Sequence, residues 1–270
     1  MFEVFSDPNI WFFAIAGFIA QLIDGTLGMA YGVSCTTLLL CLGIAPATAS
    51  ASVHFAELFT TAASALCHLK EGNIDKKFFH RLVIPGIVGG VVGAYLLSSF
   101  PGDVMKPWVS VYLLFMGLVI LSKVFKKISP EPKETKLGPL GFLGGFVDAV
   151  GGGGWGPVVT STLVAKGNSP RFVIGSVNTA EFFVALATSA TFFVALGSVY
   201  VTAIVGLVIG GLIAAPIAAV ACKNVQPKPL MAAVGVLIVF LSLRNIHQIP
   251  EQIAQVHSMI IAASAQSSIQ

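Results

Sequence analysis

Six polar side chains lie within or beside strongly apolar stretches of this sequence. Such a group is costly in apolar surroundings, so each one needs a structural or a chemical role. Carboxylates can hold a proton or a coupling cation, and imidazole and amide groups can donate hydrogen bonds to an oxyanion. The set therefore points to the handling of small ions. Its members are Asp24, His54, Glu57, Asp148, Asn178 and Glu181.

The four acids form two pairs at matching places. Asp24 and Asp148 each come a few residues before a helix-breaking glycine cluster. Each carboxylate could accept hydrogen bonds from free backbone N–H groups and brace a hairpin, or could bind a coupling cation or proton. Glu57 and Glu181 each lie about three turns into the following apolar segment, with the same two alternatives. The sequence leaves bracing and coupling open for all four.

His54 and Asn178 occupy matching positions one turn before the two glutamates. His54 and Glu57 therefore share a helix face at a spacing of i, i+3. Both His54 and Asn178 can donate a hydrogen bond to an oxyanion, so contact with a substrate and bracing of a hairpin both remain open for them.

The acids lead into two glycine-rich breaks. Four consecutive glycines, 151–154, follow Asp148, and Pro157 comes soon after. A half-helix that begins at such a break has free backbone N–H groups at its start, which is a common anion site. Aromatic residues after the breaks could wall a small site or pack the tip. The anion contacts that we predict at the two breaks are Gly28, Met29, Tyr31, Gly152, Gly153, Gly154 and Trp155.

The two breaks belong to an internal repeat. Gly17 matches Gly141 and Asp24 matches Asp148, always 124 positions apart, and about a third of residues 17–57 are identical to their counterparts. We therefore predict a first repeat at 10–125, a charged linker at 126–137, a second repeat at 138–248 and a C-terminal tail at 249–270. The tail is either a short interfacial helix or frayed.

The composition is that of a membrane protein. Of 270 residues, 56% are hydrophobic and only 10% are charged, with a mean hydropathy of +0.89. Soluble domains carry roughly a quarter charged residues, so lipid must be the solvent here. The apolar segments predicted are 10–42, 46–69, 82–100 and 107–125 in the first repeat, and 138–165, 170–196, 199–221 and 229–248 in the second.

Charge placement favours a particular topology. If the opening segment of each repeat is a re-entrant hairpin, 13 of the 15 Lys and Arg residues fall on one side of the membrane, against 10 if every segment crosses. Each repeat then crosses three times, so the second is inverted relative to the first and both termini lie outside. The predicted fold is an all-α polytopic membrane protein with two inverted repeats, each a broken helical hairpin plus three transmembrane helices.

Several function classes lack their sequence signatures. The chain has no phosphate-binding loop of the ATPase type, no metal-binding cluster and no basic stripe for nucleic acid, so we expect neither an enzyme nor a cofactor. Cys35, Cys41, Cys67 and Cys222 are expected to be small packing residues. The Gly-x-x-x-Gly pairs at 86–93 and 206–210 indicate close helix packing, either within the chain or at the seam of a homodimer.

The runs at 17–34 and 144–157 resemble the two signatures of the sulfite exporter TauE/SafE family. The resemblance extends over essentially the whole chain, including the matched pairs Pro46/Pro170 and Glu57/Glu181. It implies a multi-pass carrier of the bacterial inner membrane that exports a small sulfur-containing anion, such as sulfite or sulfoacetate. An anion channel and a carrier of another small solute remain alternatives.

Overall fold

The computed structural model describes residues 7–125, 132–197, 199–221 and 227–267, with side chains up to residue 249, and within these ranges it contains helices and no strands. The first repeat forms α1 Asn9–Leu27, α2 Tyr31–Cys41, α3 Pro46–Lys70, α4 Lys76–Ser98 and α5 Gly102–Phe125. The second forms α6 Leu137–Gly151, α7 Gly156–Ala165, α8 Pro170–Leu196, α9 Val201–Ala221 and α10 Pro227–Ser267. The first turn of α7, Gly156–Thr160, is π-helical.

Six of these helices are long and apolar enough to cross a membrane: α1, α4, α5, α8, α9 and the part of α10 at Lys228–Ile249. Our predicted topology counts α3 as a crossing and α1 as half of a hairpin. α1 qualifies by both length and composition. α3 is long enough but not apolar enough, because it carries His54, Glu57 and many Ser and Thr residues. Large apolar side chains such as Trp11 and Trp108 are more than half exposed, as expected of a surface that faces lipid.

Both predicted opening segments break at their glycines. Gly28 ends α1 in the left-handed conformation, with φ 65° and ψ 33°, and Gly152 ends α6 with φ 66° and ψ 29°. Each glycine donates its backbone N–H to the main-chain oxygen of the acid four residues earlier, Asp24 or Asp148. Only glycine adopts this conformation without strain, so it fixes where each helix ends.

The opening helix of each repeat packs against a long helix of the other repeat: α1 lies along α9, and α6 along α4. Backbones touch where glycines allow it. A Cβ added at Gly210 would lie 1.8 Å from Ala14 O, and one at Gly89 would lie 2.1 Å from Phe142 O. The Gly-x-x-x-Gly pairs thus serve packing within the chain, which confirms that alternative; a homodimer remains a prediction.

Three other expectations concern the linker, the cysteines and the C-terminal tail. Residues 126–131 of the predicted linker and Cys222 lie outside the described residues. Lys133, in the described part of the linker, donates its backbone N–H to Lys166 O. Cys35 is buried, and Cys41 and Cys67 are partly buried, all three as free thiols. The tail continues α10 as helix to Ser267.

Candidate functional site

The two glycine breaks lie against each other at the centre of the molecule. A Cβ added at Gly32 would lie 2.7 Å from Gly153 Cα. One added at Gly156 would lie 2.4 Å from both Gly28 O and Met29 Cα. Main chain therefore touches main chain, and a side chain at Gly32 or Gly156 would drive the breaks apart. The topology brings the two predicted halves of the site into one place.

Asp148 accepts the backbone N–H groups of the second break. Its Oδ1 accepts hydrogen bonds from the N–H groups of Gly154 and Trp155, at 2.7 and 2.9 Å. Its main-chain oxygen accepts from Gly152 and from Gly153, the latter at 2.9 Å. The expectation that these amides are free is therefore not met in this conformation. The reason is local: Asp148 lies six and seven residues before Gly154 and Trp155, so its side chain reaches the N–H groups just ahead of α7.

The carbonyl groups of the second break are held from two other helices. Thr36 on α2 donates its hydroxyl to Gly152 O. Tyr112 on α5 donates to Gly153 O at 2.8 Å. Trp155 is fully buried and donates its indole N–H to Val177 O at 3.1 Å. The break is thus fixed from α2, α5 and α8.

His54 connects α3 to the acid at the second break. Its Nε2 lies 3.1 Å from Asp148 Oδ2 and 3.9 Å from Glu57 Oε2, and its Nδ1 lies 2.8 Å from Ser50 O. His54, Glu57 and Asp148 are 0%, 1% and 2% exposed. Glu57 Oε2 has no hydrogen-bond partner among the described residues. One ligand atom from each of the three lies within 4.8 Å of the others, a spacing that can hold a proton or a cation.

The first break is built differently. Asp24 is buried and its carboxylate bonds the backbone N–H of Tyr31. Asn178, the counterpart of His54, donates its amide to Ser64 Oγ at 3.2 Å instead of to the acid. Within the described part of the chain, Asn178 Oδ1 has no hydrogen-bond partner, and the Tyr31 hydroxyl has only a contact with the Thr60 side chain that falls outside hydrogen-bond geometry. Met29 and Glu181 are also buried.

Sequence reasoning missed three residues that hold the site. Thr36 carried a signal, because it belongs to the repeat and matches Thr160. Tyr112 and Ser50 gave no signal in the sequence. Each lies in a stretch of apolar or small residues, and its contact depends on how distant helices pack together. Ser50 donates its hydroxyl to Ala149 O at 2.8 Å and so ties α3 to the end of α6.

Known proteins match this chain over most of its length. Residues 13–245 match the family described as Sulfite exporter TauE/SafE, which is far more than half of the chain. The chain belongs to the TauE/SafE sulfite exporter family. The resemblance drawn from the two glycine-rich signatures is thereby confirmed. This TauE/SafE protein is a multi-pass membrane transporter.

Two relatives of the chain are named as probable membrane transporters. The TauE/SafE chain is 47% identical over 263 residues to the probable membrane transporter protein YtnM of Bacillus subtilis (strain 168), covering 93% of this chain and 87% of that protein. It is 28% identical over 151 residues to the probable membrane transporter protein ORF9 of Sinorhizobium sp., covering 54% of this chain and 57% of that protein. No solved structure matches the chain.

Proposed function

We propose that this protein is a secondary transporter that exports a small sulfur-containing anion, sulfite or an organosulfonate such as sulfoacetate, across the bacterial inner membrane. The anion binds between the two glycine breaks near the midplane and crosses by alternating access. One observation carries the proposal: a carboxylate, that of Asp148, occupies the N–H groups of Gly154 and Trp155. Amides that hold one anion are suited to hold another.

In this proposal the substrate takes the place of the Asp148 carboxylate. A sulfite or sulfonate oxygen would accept from the Gly154 and Trp155 amides, while Asn178 donates to another of its oxygens and His54 lies beside them. Tyr31 and Met29 would close the site from the first break. Helix N-termini contribute about 0.3–1 kcal/mol each to binding an anion, which suits a carrier that must release its cargo.

The proposal includes the predicted topology. The two repeats are inverted, each opening hairpin enters and leaves on the same side, and both chain termini lie outside. A single cysteine placed at Ile44, in the turn after α2, should be labelled from the same side of the membrane as one placed at Asp7. Labelling of the two from opposite sides would mean that the opening segment crosses.

The test is sulfite flux in liposomes that contain the purified protein. Gly153 has φ 153°, and a Cβ there would lie 2.1 Å from Val33 N, so Gly152→Leu with Gly153→Leu should abolish flux. Gly138→Ala is the control, because a Cβ at Gly138 meets nothing within 4 Å. Flux that survives the double change in folded protein would remove the breaks from the transport path.

The alternatives are outcomes of the same assay. Backbone contact between the breaks favours a carrier over a fixed pore, because a permanent path for an anion needs space that the contact closes. A carrier shows trans-stimulation by substrate on the opposite side, whereas a channel does not. If sulfite and sulfoacetate fail but another small solute shows trans-stimulation, the protein carries that solute.

A further inference from the structure

The hydrogen bonds around His54 require one more proton than a neutral histidine and a carboxylate supply. Its Nδ1 lies 2.8 Å from Ser50 O, and a carbonyl oxygen can only accept. The Ser50 hydroxyl already donates to Ala149 O, so it too can only accept from the ring. Nδ1 must therefore carry a hydrogen. In a neutral imidazole the other nitrogen, Nε2, is then a bare acceptor.

Nε2 faces another acceptor. Asp148 Oδ2 lies 3.1 Å away, at hydrogen-bonding distance, while Oδ1 is occupied by the backbone amides of Gly154 and Trp155, just before α7. Two lone pairs do not meet at this distance in a buried site without a proton between them. The proton lies either on Nε2, giving an imidazolium and a carboxylate, or on Oδ2, giving a neutral pair.

The neighbouring acids favour keeping that proton, because buried carboxyl groups this close to one another cannot all be ionised. Glu57, on the same helix as His54, has its Oε2 3.9 Å from Nε2 and without a hydrogen-bond partner in the part of the chain that the structure describes. Asp24 on α1 and Glu181 on α8 interact electrostatically with Asp148 and with Glu57. The neutral side chains within the same range are Tyr31, Cys35 and Tyr112.

We infer that the His54–Asp148 pair is a proton site, and that cargo anion and proton bind to the protein together. This inference rests on the proposed anion site at Gly154 and Trp155. The anion and the Asp148 carboxylate compete for the same amides. Asp148 can leave them at low cost once the proton has moved from Nε2 to Oδ2, because it then leaves as a neutral acid. A protein without the proton keeps its carboxylate on the amides and excludes the anion.

The first experiment reads the proton without any cargo. Protein labelled with ¹⁵N-histidine is examined by NMR, and the His54 signal is assigned by its loss in His54→Gln, with the exposed His80→Gln as control. Wild-type protein should show a proton shared at Nε2, which Asp148→Asn removes and Asp24→Asn keeps. Identical His54 spectra in wild type and Asp148→Asn would overturn the inference. So would a stoichiometric metal ion in purified protein that is lost in His54→Gln.

The second experiment measures the linkage. Sulfoacetate is titrated by calorimetry at a pH where it is fully ionised, in buffers that differ in ionisation enthalpy, so that proton uptake reports on the protein. About one proton should be taken up per anion at a pH where the pair is largely deprotonated, and close to none in Asp148→Asn. The exposed His80→Gln should behave as wild type. Anion binding without proton uptake would overturn the coupling, whereas absence of binding beside a normal His54 signal would count against the proposed cargo.

Discussion

The two glycine breaks use the same local device. Gly28 and Gly152 have almost the same φ, 65° and 66°, and each bonds the main-chain oxygen of the acid four residues before it. In both, the acid's carboxylate then bonds the backbone N–H at the matching position, Tyr31 or Trp155. The spacing of acid and glycine therefore determines the local structure, and this local structure is the same in both repeats.

The partners of the two acids differ. Asp148 receives a second amide and the His54 imidazole, whereas Asn178, at the position equivalent to His54, turns to Ser64. A single difference between α3 and α8 thus places a titratable base at one break only. The comparison teaches that one local structure can serve two roles. In our proposal the second break holds the proton and the anion, and the first break closes the site.

The largest effect should come from adding a methyl group at the second break. Gly153→Ala would place a Cβ 2.1 Å from the backbone nitrogen of Val33, where nothing flexible can give way. We expect a loss of more than about 3 kcal/mol in the free energy of unfolding. Gly138→Ala, in open space, should change it by less than about 1 kcal/mol. Denaturant unfolding in detergent measures both, and equal stabilities would contradict the observed contact.

Removal of each acid should show that the two breaks differ in how much their acid stabilises the protein. Asp148→Ala leaves the amides of Gly154 and Trp155 and the ring of His54 without their partner, so it should cost about 3–5 kcal/mol. Asp24→Ala loses the amide of Tyr31 and should cost about 1–3 kcal/mol. Unfolding measurements on the two variants test the order. A larger loss for Asp24→Ala would reverse the roles assigned here.

Substitutions of the aromatic residues after the breaks should change stability by smaller amounts. Trp155→Phe removes the hydrogen bond to Val177 O and should cost about 1–2 kcal/mol. Tyr31→Phe removes a hydroxyl whose contact with the Thr60 side chain falls outside hydrogen-bond geometry, so stability should change by less than about 0.5 kcal/mol. Thermal unfolding of the purified variants compares them. A costly Tyr31→Phe would reveal a bond from that hydroxyl.

The smallest effect concerns Ala30, which has φ 93° and is the one described non-glycine residue with positive φ. Its counterpart in the second break is Gly154. Ala30→Gly should relieve backbone strain and stabilise the protein by about 1 kcal/mol. The reverse change, Gly154→Ala, should destabilise it, because a Cβ there would lie 2.2 Å from Tyr112 Oη. A destabilising Ala30→Gly would show that the strain at Ala30 is absent.

Local features were predictable from the sequence, and contacts between repeats were not. Hydropathy indicated the membrane helices, and the glycines at 28 and 152 indicated where the opening segments break. The pairing of His54 with Asp148 spans 94 residues, and no pattern within one segment says which helix will face it. For the same reason the sequence left bracing and coupling open for Asp148, whose carboxylate turns out to bond both amides and imidazole.

The central claim is that the paired breaks carry a small sulfur-containing anion by alternating access. Counterflow tests it most directly: liposomes with the purified protein, loaded with unlabelled sulfite, are given a trace of labelled sulfite outside. The account predicts transient accumulation of label in wild-type vesicles and none in vesicles with Gly152→Leu and Gly153→Leu. Equal uptake with and without internal sulfite would contradict it.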